Sequence, residues 1–331
     1  MLVSILIVHY KTLKLTTDCI RSVKNHTKGV EYEIIVIDND SNDGAKEIIQ
    51  QQNPDIQWVE MGYNAGFARA NNAGIRASKG DFVLLLNSDT LFLDDIISKS
   101  VHHLETELDV AACGGIQLYE NGEERHFYRS IAVFKRTLVV LPPHRIFDKF
   151  IEKIFPETIY SDSQQVDWIP AAFLLVRKNV IDKTGLLDED FFMYAEDVEW
   201  NCRLARVGKL KTYDDCRYIH YEWGSNPDRK MNQITPVNRF FTQIQLSNLV
   251  WIRKEYGVFQ YLLFMINYYL MVPIYFGWKI AVNIKNGQNP LSKLENQKDY
   301  YHKINLFAKY FWKIVLKRPY FYKLPVGQVK V

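Results

Sequence analysis

The sequence predicts an α/β fold, a mostly parallel sheet covered by helices on both faces and followed by a helical appendage. Three observations predict it. Short apolar runs recur at 2–8 (LVSILIV), 33–37 (EIIVI), 57–59 and 82–86, each followed by a polar or helical stretch. These runs are apolar at successive positions rather than alternate ones, as suits strands buried on both faces. At 331 residues and 47% hydrophobic content, the chain can fill one large core and still carry an appendage.

The elements follow in order. The first run leads into a segment whose Leu13, Cys19, Ile20 and Val23 share a helical face. The second ends at Asp38, opens the turn-rich "DNDSNDG", and precedes a helix carrying Ala45, Ile48 and Ile49. The third precedes "GYNAGFARANNAGIRAS", and the fourth runs straight into Asn87, Ser88 and Asp89. From Cys113 to about Asp167 the pattern loosens, with Pro142 and Pro143 inside it, and a long excursion or lid is expected there. Order returns with a strand over 171–176, a short helix over 180–184, a helix from Glu196 with Val198, Cys202, Leu204 and Ala205 inward, and a strand or pair of strands in "GKLKTYDDCRYIH". No internal repeat is evident.

Open α/β sheets bind ligands outside the carboxyl ends of their strands. Tyr10, Asp38, Asn64 and the Asn87–Asp89 cluster each follow a predicted strand, so all should gather along one edge. Any one of them reads as a turn former, because Asn, Asp and Gly favour turns for backbone reasons. Four polar clusters closing four different strands favour a binding edge.

The net charge of +3 hides an asymmetry: residues 285–331 hold ten Lys or Arg against two acids. The four cysteines, Cys19, Cys113, Cys202 and Cys216, form no C-x-x-C pair, so reduced thiols in a cytosolic compartment are expected. The opening "MLVSILIVHY" lacks a basic region and a small-residue cleavage site, and reads as a first core strand rather than a secretory signal.

An aspartate closing a buried strand, with no basic neighbour in sequence, is costly to desolvate unless positive charge arrives with a ligand. A divalent ion chelated to a diphosphate is such a ligand, and hard oxygen donors suit Mg2+ or Mn2+. Asp89 would hold it. No G-x-x-x-x-G-K-[ST] loop is present and no G-x-G-x-x-G follows a strand, which argues against ordinary ATPase and dinucleotide-binding classes.

The motifs "SILIVHY", "IVIDNDSNDG", "GYNAGFARANNAGI", "GDFVLLLNSDT" and "FFMYAEDVEWNCRL" resemble, in this order, those of family-2 glycosyltransferases of the GT-A fold, the Rossmann-like architecture of nucleotide-diphospho-sugar transferases. The likeness is to the rhamnosyltransferase-like subgroup and covers about residues 1–225. It implies a catalytic domain over 1–225, with a nucleotide-binding half (1–110) and an acceptor half (111–225), followed by an aromatic, basic helical region over 226–331. It also implies inverting transfer from a nucleotide-diphosphate sugar, foremost L-rhamnose from dTDP-rhamnose, to a glycan or undecaprenyl-diphosphate-linked acceptor in bacterial surface-polysaccharide assembly. A UDP-hexose or galactofuranose donor, and a catalytically inactive scaffold of an assembly complex, remain open alternatives.

Position by position, the resemblance assigns Tyr10 and Asp38 to the base and ribose. Asn39, Asn64 and Gly66 join the nucleotide-sugar set, and Asn71 and Asn72 would face the base and phosphates. "NSD" corresponds to the DXD motif, with Asn87 in place of the first acid, Ser88 between, and Asp89 as ligand to Mn2+ or Mg2+. One negative charge fewer implies weaker, more exchangeable metal binding. Asp197 matches the catalytic base, with Glu196 positioning acceptor or base, although acids in a first helical turn also arise simply to complement the helix dipole. His220 resembles a histidine that completes the metal or diphosphate site. Trp168 and Trp223 would stack on acceptor sugar or sit in the core, and Arg203 is expected to be structural.

Residues 258–278 form a run of 21 without formal charge, close to the roughly 20 that span a bilayer. Gln260, Asn267, Pro273 and four tyrosines within it suit an interfacial or protein-packed helix better. Downstream, Tyr300, Ile304, Phe307, Phe311 and Ile314 share a stripe beside Lys303, Lys309, Lys313 and Lys317. That pattern predicts a helix lying on an anionic leaflet, hence peripheral attachment at the cytoplasmic face of the membrane. A single span, a soluble appendage and a homodimer interface are the alternatives. A nucleic-acid partner is not expected, since no base-reading module accompanies the charge.

Overall fold

The computed structural model describes residues 1–125, 129–142, 145–221 and 242–324. Eight strands, β1 (Leu2–His9), β2 (Glu31–Asp38), β3 (Gln57–Glu60), β4 (Phe82–Asn87), β5 (Thr90–Phe92), β6 (Val110–Leu118), β7 (Phe173–Arg177) and β8 (Lys209–His220), form one sheet. Its order is β3-β2-β1-β4-β7-β6-β8-β5. The pairs β1/β2, β1/β4, β2/β3 and β6/β8 are parallel, while β4/β7, β6/β7 and β5/β8 are antiparallel.

Side-chain alternation explains why both faces carry helices. Val3, Ile5 and Ile7 of β1 enter one core with Cys19, Ile20 and Val23 of α1 (Leu13–His26) and Val101 and Leu104 of α4 (Ile96–Thr106). Leu6 enters the other with Ala68 and Ile75 of α3 (Gly66–Ala77) and Trp200 and Leu204 of α8 (Glu196–Leu204). Fully burying each of the Val, Leu and Ile side chains among these stabilises the fold by about 1.5–3 kcal/mol, so a charge at any of them would split a layer. Two smaller helices, α2 (Ala45–Gln52) and α7 (Lys178–Thr184), complete the cover.

The sequence pattern loosens from Cys113, but the structure places a fully buried strand, β6, over 110–118. The excursion therefore begins later. Gly114 and Gly115 conceal this strand because glycine carries little strand signal. They are required by close approach: a Cβ on Gly114 would lie 2.4 Å from Ile169 Cγ2, and one on Gly115 2.3 Å from the Cys216 carbonyl. "GKLKTYDDCRYIH" forms one long strand, β8, bulged where Gly115 pairs Tyr213 and Ile116 pairs Arg217.

The chain divides into two compact units, 1–129 with 159–192 and 196–229, and 130–158 with 193–195 and 230–331. The second holds α5 (Ile131–Leu138), α6 (Arg145–Ile154), α9 (Thr242–Lys285) and α10 (Glu295–Val315). Helix α9 is broken at Gly257, whose φ of 85° no helix accommodates. Its long apolar stretch is the one described helix able to cross or associate with a membrane by length and composition. The stripe of α10 expected on a leaflet is instead buried: Tyr300, Ile304, Phe307 and Ile314 are covered, the Phe311 ring lies 5.8 Å from that of Tyr261, and the Tyr300 hydroxyl donates to the Tyr268 carbonyl.

Gly66 opens α3 at φ 73°, and a Cβ there would lie 2.0 Å from the Phe192 carbonyl that accepts the Phe67 N–H. Replacing it by alanine should therefore cost more than about 2 kcal/mol of stability in urea denaturation; a loss below roughly 0.5 kcal/mol would mean that this contact does not exist.

Candidate active site

Strand register sets the site. His9 pairs Asp38 and Val8 pairs Asn87, so the loops leaving β1, β2 and β4 start side by side at the carboxyl edge. Tyr10, Asp38, Asn64 and Asn87 are half-buried there. Asp38 accepts the Ser41 N–H at 3.1 Å. Asn39 is buried and shapes the edge from within, accepting the Ala65 N–H at 2.7 Å and donating to the Gly66 carbonyl at 3.2 Å. Asn64 in turn accepts the Gly66 N–H at 3.2 Å. His9, unremarked in the sequence, is fully buried between Asp43 at 3.1 Å and the Thr16 hydroxyl at 2.8 Å, which fastens the 38–44 turn to β1 and α1.

Asn71 and Asn72 are not brought to this edge as free ligands. Asn71 is buried and donates to the Phe67 carbonyl of its own helix at 3.0 Å. Asn72 exchanges two bonds with the Leu187 backbone, at 2.9 and 3.0 Å, and also donates to Glu189. The Asn72 amide is taken up inside the fold and docks α3 on the 187–189 segment.

Pairing of β5 with β8 sets Thr90 against His220, and so carries the imidazole to the NSD loop. Asp89 and His220 are both buried, with Asp89 Oδ1 3.2 Å from His220 Nε2. The other ring nitrogen, Nδ1, lies 3.0 Å from the Gln117 amide oxygen, which can only accept. The proton of a neutral ring is thereby fixed on Nδ1, and Nε2 presents a lone pair. Asn87 Nδ2, a donor, lies 3.4 Å from the same nitrogen. A lone pair facing a carboxylate oxygen is repulsive unless a proton or a cation lies between them. The pair thus fits a divalent cation, with Gln117 as the outer partner that orients the ring. Sequence reasoning missed Gln117; its signal was a lone polar residue in the buried run "GGIQL".

Helix α8 begins after two non-glycine residues in the left-handed region, Tyr194 (φ 71°) and Ala195 (φ 62°), a strained entry of the kind found at functional sites. Asp197 Oδ2 accepts the Ala171 N–H at 3.3 Å, and its Oδ1 accepts the Val198 N–H at 2.8 Å. Asn201 clamps the same segment, exchanging bonds with Ile169 at 3.2 and 2.9 Å. Burial pushes the Asp197 carboxyl above the usual aspartate value, and donors from Ala171, Val198 and the half-buried Trp168 pull it partly back. Burial first, and then the charge of Asp197, push Glu196 well above the ordinary range. Its Oε2 is buried without a hydrogen-bond partner among the described residues.

Two backbone hydrogen-bonding positions link the acids. The Asn87 N–H donates to the Ala172 carbonyl at 3.1 Å, and Ala171, one residue earlier, donates to Asp197. Asp89 and Asp197 therefore stand on the same edge, across the β4/β7 seam. Trp223 lies outside the described residues. Arg203 pairs Glu199 and donates to the Thr184 carbonyl, a structural role.

A model of the family described as Glycosyl transferase family 2 matches residues 4–179. The chain belongs to this family. Among the relatives of this family-2 glycosyltransferase, the uncharacterized glycosyltransferase YfnE of Bacillus subtilis is 24% identical over 67% of this chain and 65% of its own length. The rhamnosyltransferase WbbL of Escherichia coli is 25% identical over 59% of this chain and 75% of its own. The N-acetylglucosaminyl-diphospho-decaprenol L-rhamnosyltransferase of Mycobacterium tuberculosis is 25% identical over 54% and 63%. The matched region thus spans just under two thirds of YfnE and of the mycobacterial enzyme. In structure, the mannosyltransferase PcManGT from Pyrobaculum calidifontis, in complex with GDP-Man and Mn2+, superposes with a TM-score of 0.55 at 14% identity, covering 96% of this chain and 87% of its own. The fold is of the GT-A type.

Two other features of this glycosyltransferase lie away from the edge. A depression lined by Met1, Gly29, Glu31, Ser98 and His102 sits at the amino ends of β1 and β2. His103, Asp215 and Cys216 come within 4.8 Å of one another, but burial pushes the Cys216 thiol up to about 12 and keeps it protonated, a poor metal donor.

Glu196 gives a pH signature. Its carboxyl is raised in the fold, whereas in the unfolded chain it ionises near the ordinary 4.5. Its contribution is therefore fully present below pH 4.5 and lost as pH rises above it. Glu196→Gln, which cannot ionise, should raise stability at pH 8 by about 1 kcal/mol or more and change little at pH 4, as read by thermal unfolding. A variant less stable than the parent at pH 8 would show that Glu196 is ionised and paired.

Proposed function

We propose that the chain is an inverting, metal-dependent glycosyltransferase that moves L-rhamnose from dTDP-rhamnose to a lipid-linked or nascent glycan of a bacterial surface polysaccharide. The observation that carries this reading is the placement of a cation-fitting pair, Asp89 and His220, and a raised carboxylate, Asp197, on one sheet edge. The two rhamnosyltransferase relatives support the donor, and the mycobacterial one, an N-acetylglucosaminyl-diphospho-decaprenol L-rhamnosyltransferase, supports a lipid-linked acceptor.

Asp197 takes the proton of the acceptor hydroxyl as its oxygen bonds to the anomeric carbon, while the bond from that carbon to the diphosphate breaks on the opposite face. The configuration inverts. Burial makes Asp197 a stronger base than an exposed aspartate, and the Ala171 and Val198 N–H groups keep it ionised and aimed. Burial and the Asp197 charge push the Glu196 carboxyl well above the ordinary range, which favours a single negative charge on the pair. Tyr10 and Asp38 hold the nucleoside at the half-buried rim, and Trp168 packs on the acceptor. Asp89 and His220 would hold Mn2+ or Mg2+, and a bound divalent ion supplies the positive charge that a departing diphosphate requires.

Asp197→Asn should lower transfer by about 10²- to 10⁴-fold while dTDP with Mn2+ still raises the melting temperature. Asp89→Asn should abolish the metal-dependent part of that rise. Transfer that survives Asp197→Asn would refute the base, and turnover with a UDP-hexose but not dTDP-rhamnose would refute the donor.

A further inference from the structure

Helix α9 carries an uncovered apolar stripe. Phe259, Leu263, Ile266, Leu270, Ile274 and Trp278 recur every three or four residues after the Gly257 break, and each is 44–70% exposed. The opposite face, Tyr261, Phe264, Met265, Tyr268, Met271 and Tyr275, is buried. We infer that α9 lies in the plane of an anionic lipid leaflet, with this stripe among the headgroups and acyl chains, and does not span the bilayer.

Charge chooses the occupant. Residues 258–278 have no formal charge, yet Arg253 and Lys254 precede them, Lys279 and Lys285 follow, and residues 253–331 hold thirteen Lys or Arg against three acids. Anionic lipid complements such a frame. A second copy docked through the same stripe would bring two basic regions together. Lipid tails also ask for no hydrogen bonds, and the six stripe residues offer only the Trp278 indole at its end, where interfacial tryptophans sit.

The buried face argues against a span. Asn267 exchanges two hydrogen bonds with the Val140 backbone at 3.0 and 2.9 Å, and the Tyr268 and Tyr275 hydroxyls donate to the Leu138 and Leu141 carbonyls. Its packing partner α10 carries Glu295, Lys298, Asp299, Lys303, Lys309 and Lys313. Crossing would strip the first set of bonds or drag the second set of charges into hydrocarbon. The inference rests on the helical unit alone and is independent of the sugar-transfer reading.

The test is flotation of the full chain with phosphatidylcholine vesicles and with the same vesicles containing phosphatidylglycerol. The chain should float with the anionic vesicles at least roughly tenfold better and be released by alkaline carbonate. The Ile266→Glu, Leu270→Glu double variant, altered only at exposed positions, should lose flotation by about tenfold or more with unchanged circular dichroism and melting temperature. Carbonate-resistant membrane association would overturn the inference in favour of a span, and equal flotation of the double variant would move the contact elsewhere. A lipid-free dimer that the double variant converts to monomer in size-exclusion chromatography would overturn it in favour of a second copy.

Discussion

A buried carboxylate facing a nitrogen lone pair is the constraint around which the carboxyl edge of the sheet is organised. Asp89 can be withdrawn from water beside His220 only if positive charge comes between them. The fold holds this arrangement from three directions. Pairing of β5 with β8 brings in the imidazole, Gln117 on β6 fixes its proton on the far nitrogen, and Asn87 at the end of β4 meets the near one.

The same strand ends couple that pair to the acids of α8. Because β7 runs antiparallel to β4, its amino end meets the carboxyl end of β4, and Pro170–Ala172 can bond to Asn87 on one side and Asp197 on the other. The antiparallel insertion in an otherwise parallel half-sheet thus brings Asp197 to the strand ends that carry the NSD loop. The environments of the acids then separate their roles. Asp89 has an imidazole within reach, Asp197 has backbone N–H donors, and Glu196 has burial and a neighbouring charge.

Much of this was legible in the sequence. The runs at 2–8, 33–37, 57–59 and 82–86 became β1 to β4, and the polar clusters that close them share an edge because parallel strands in register must end together. The resemblance grouped Asp89 with His220, far apart in sequence, and the fold brings the two side chains to 3.2 Å. Other features were hidden for physical reasons. Strand β6 was obscured by glycines that tight packing demands. Asn71 and Asn72 look like ligand residues, but polarity does not reveal whether an amide meets a ligand or the Phe67 and Leu187 backbone. The α10 stripe shows the same limit: periodicity tells that a face is covered and not by what, and the cover is α9.

The position of a bound cation is decisive. An anomalous difference map, recorded at the manganese edge from crystals soaked with Mn2+ and a nucleoside diphosphate, locates it directly. A peak between the Asp89 carboxylate and His220 Nε2 is expected. A peak at His103 and Asp215, with none at Asp89, would contradict it.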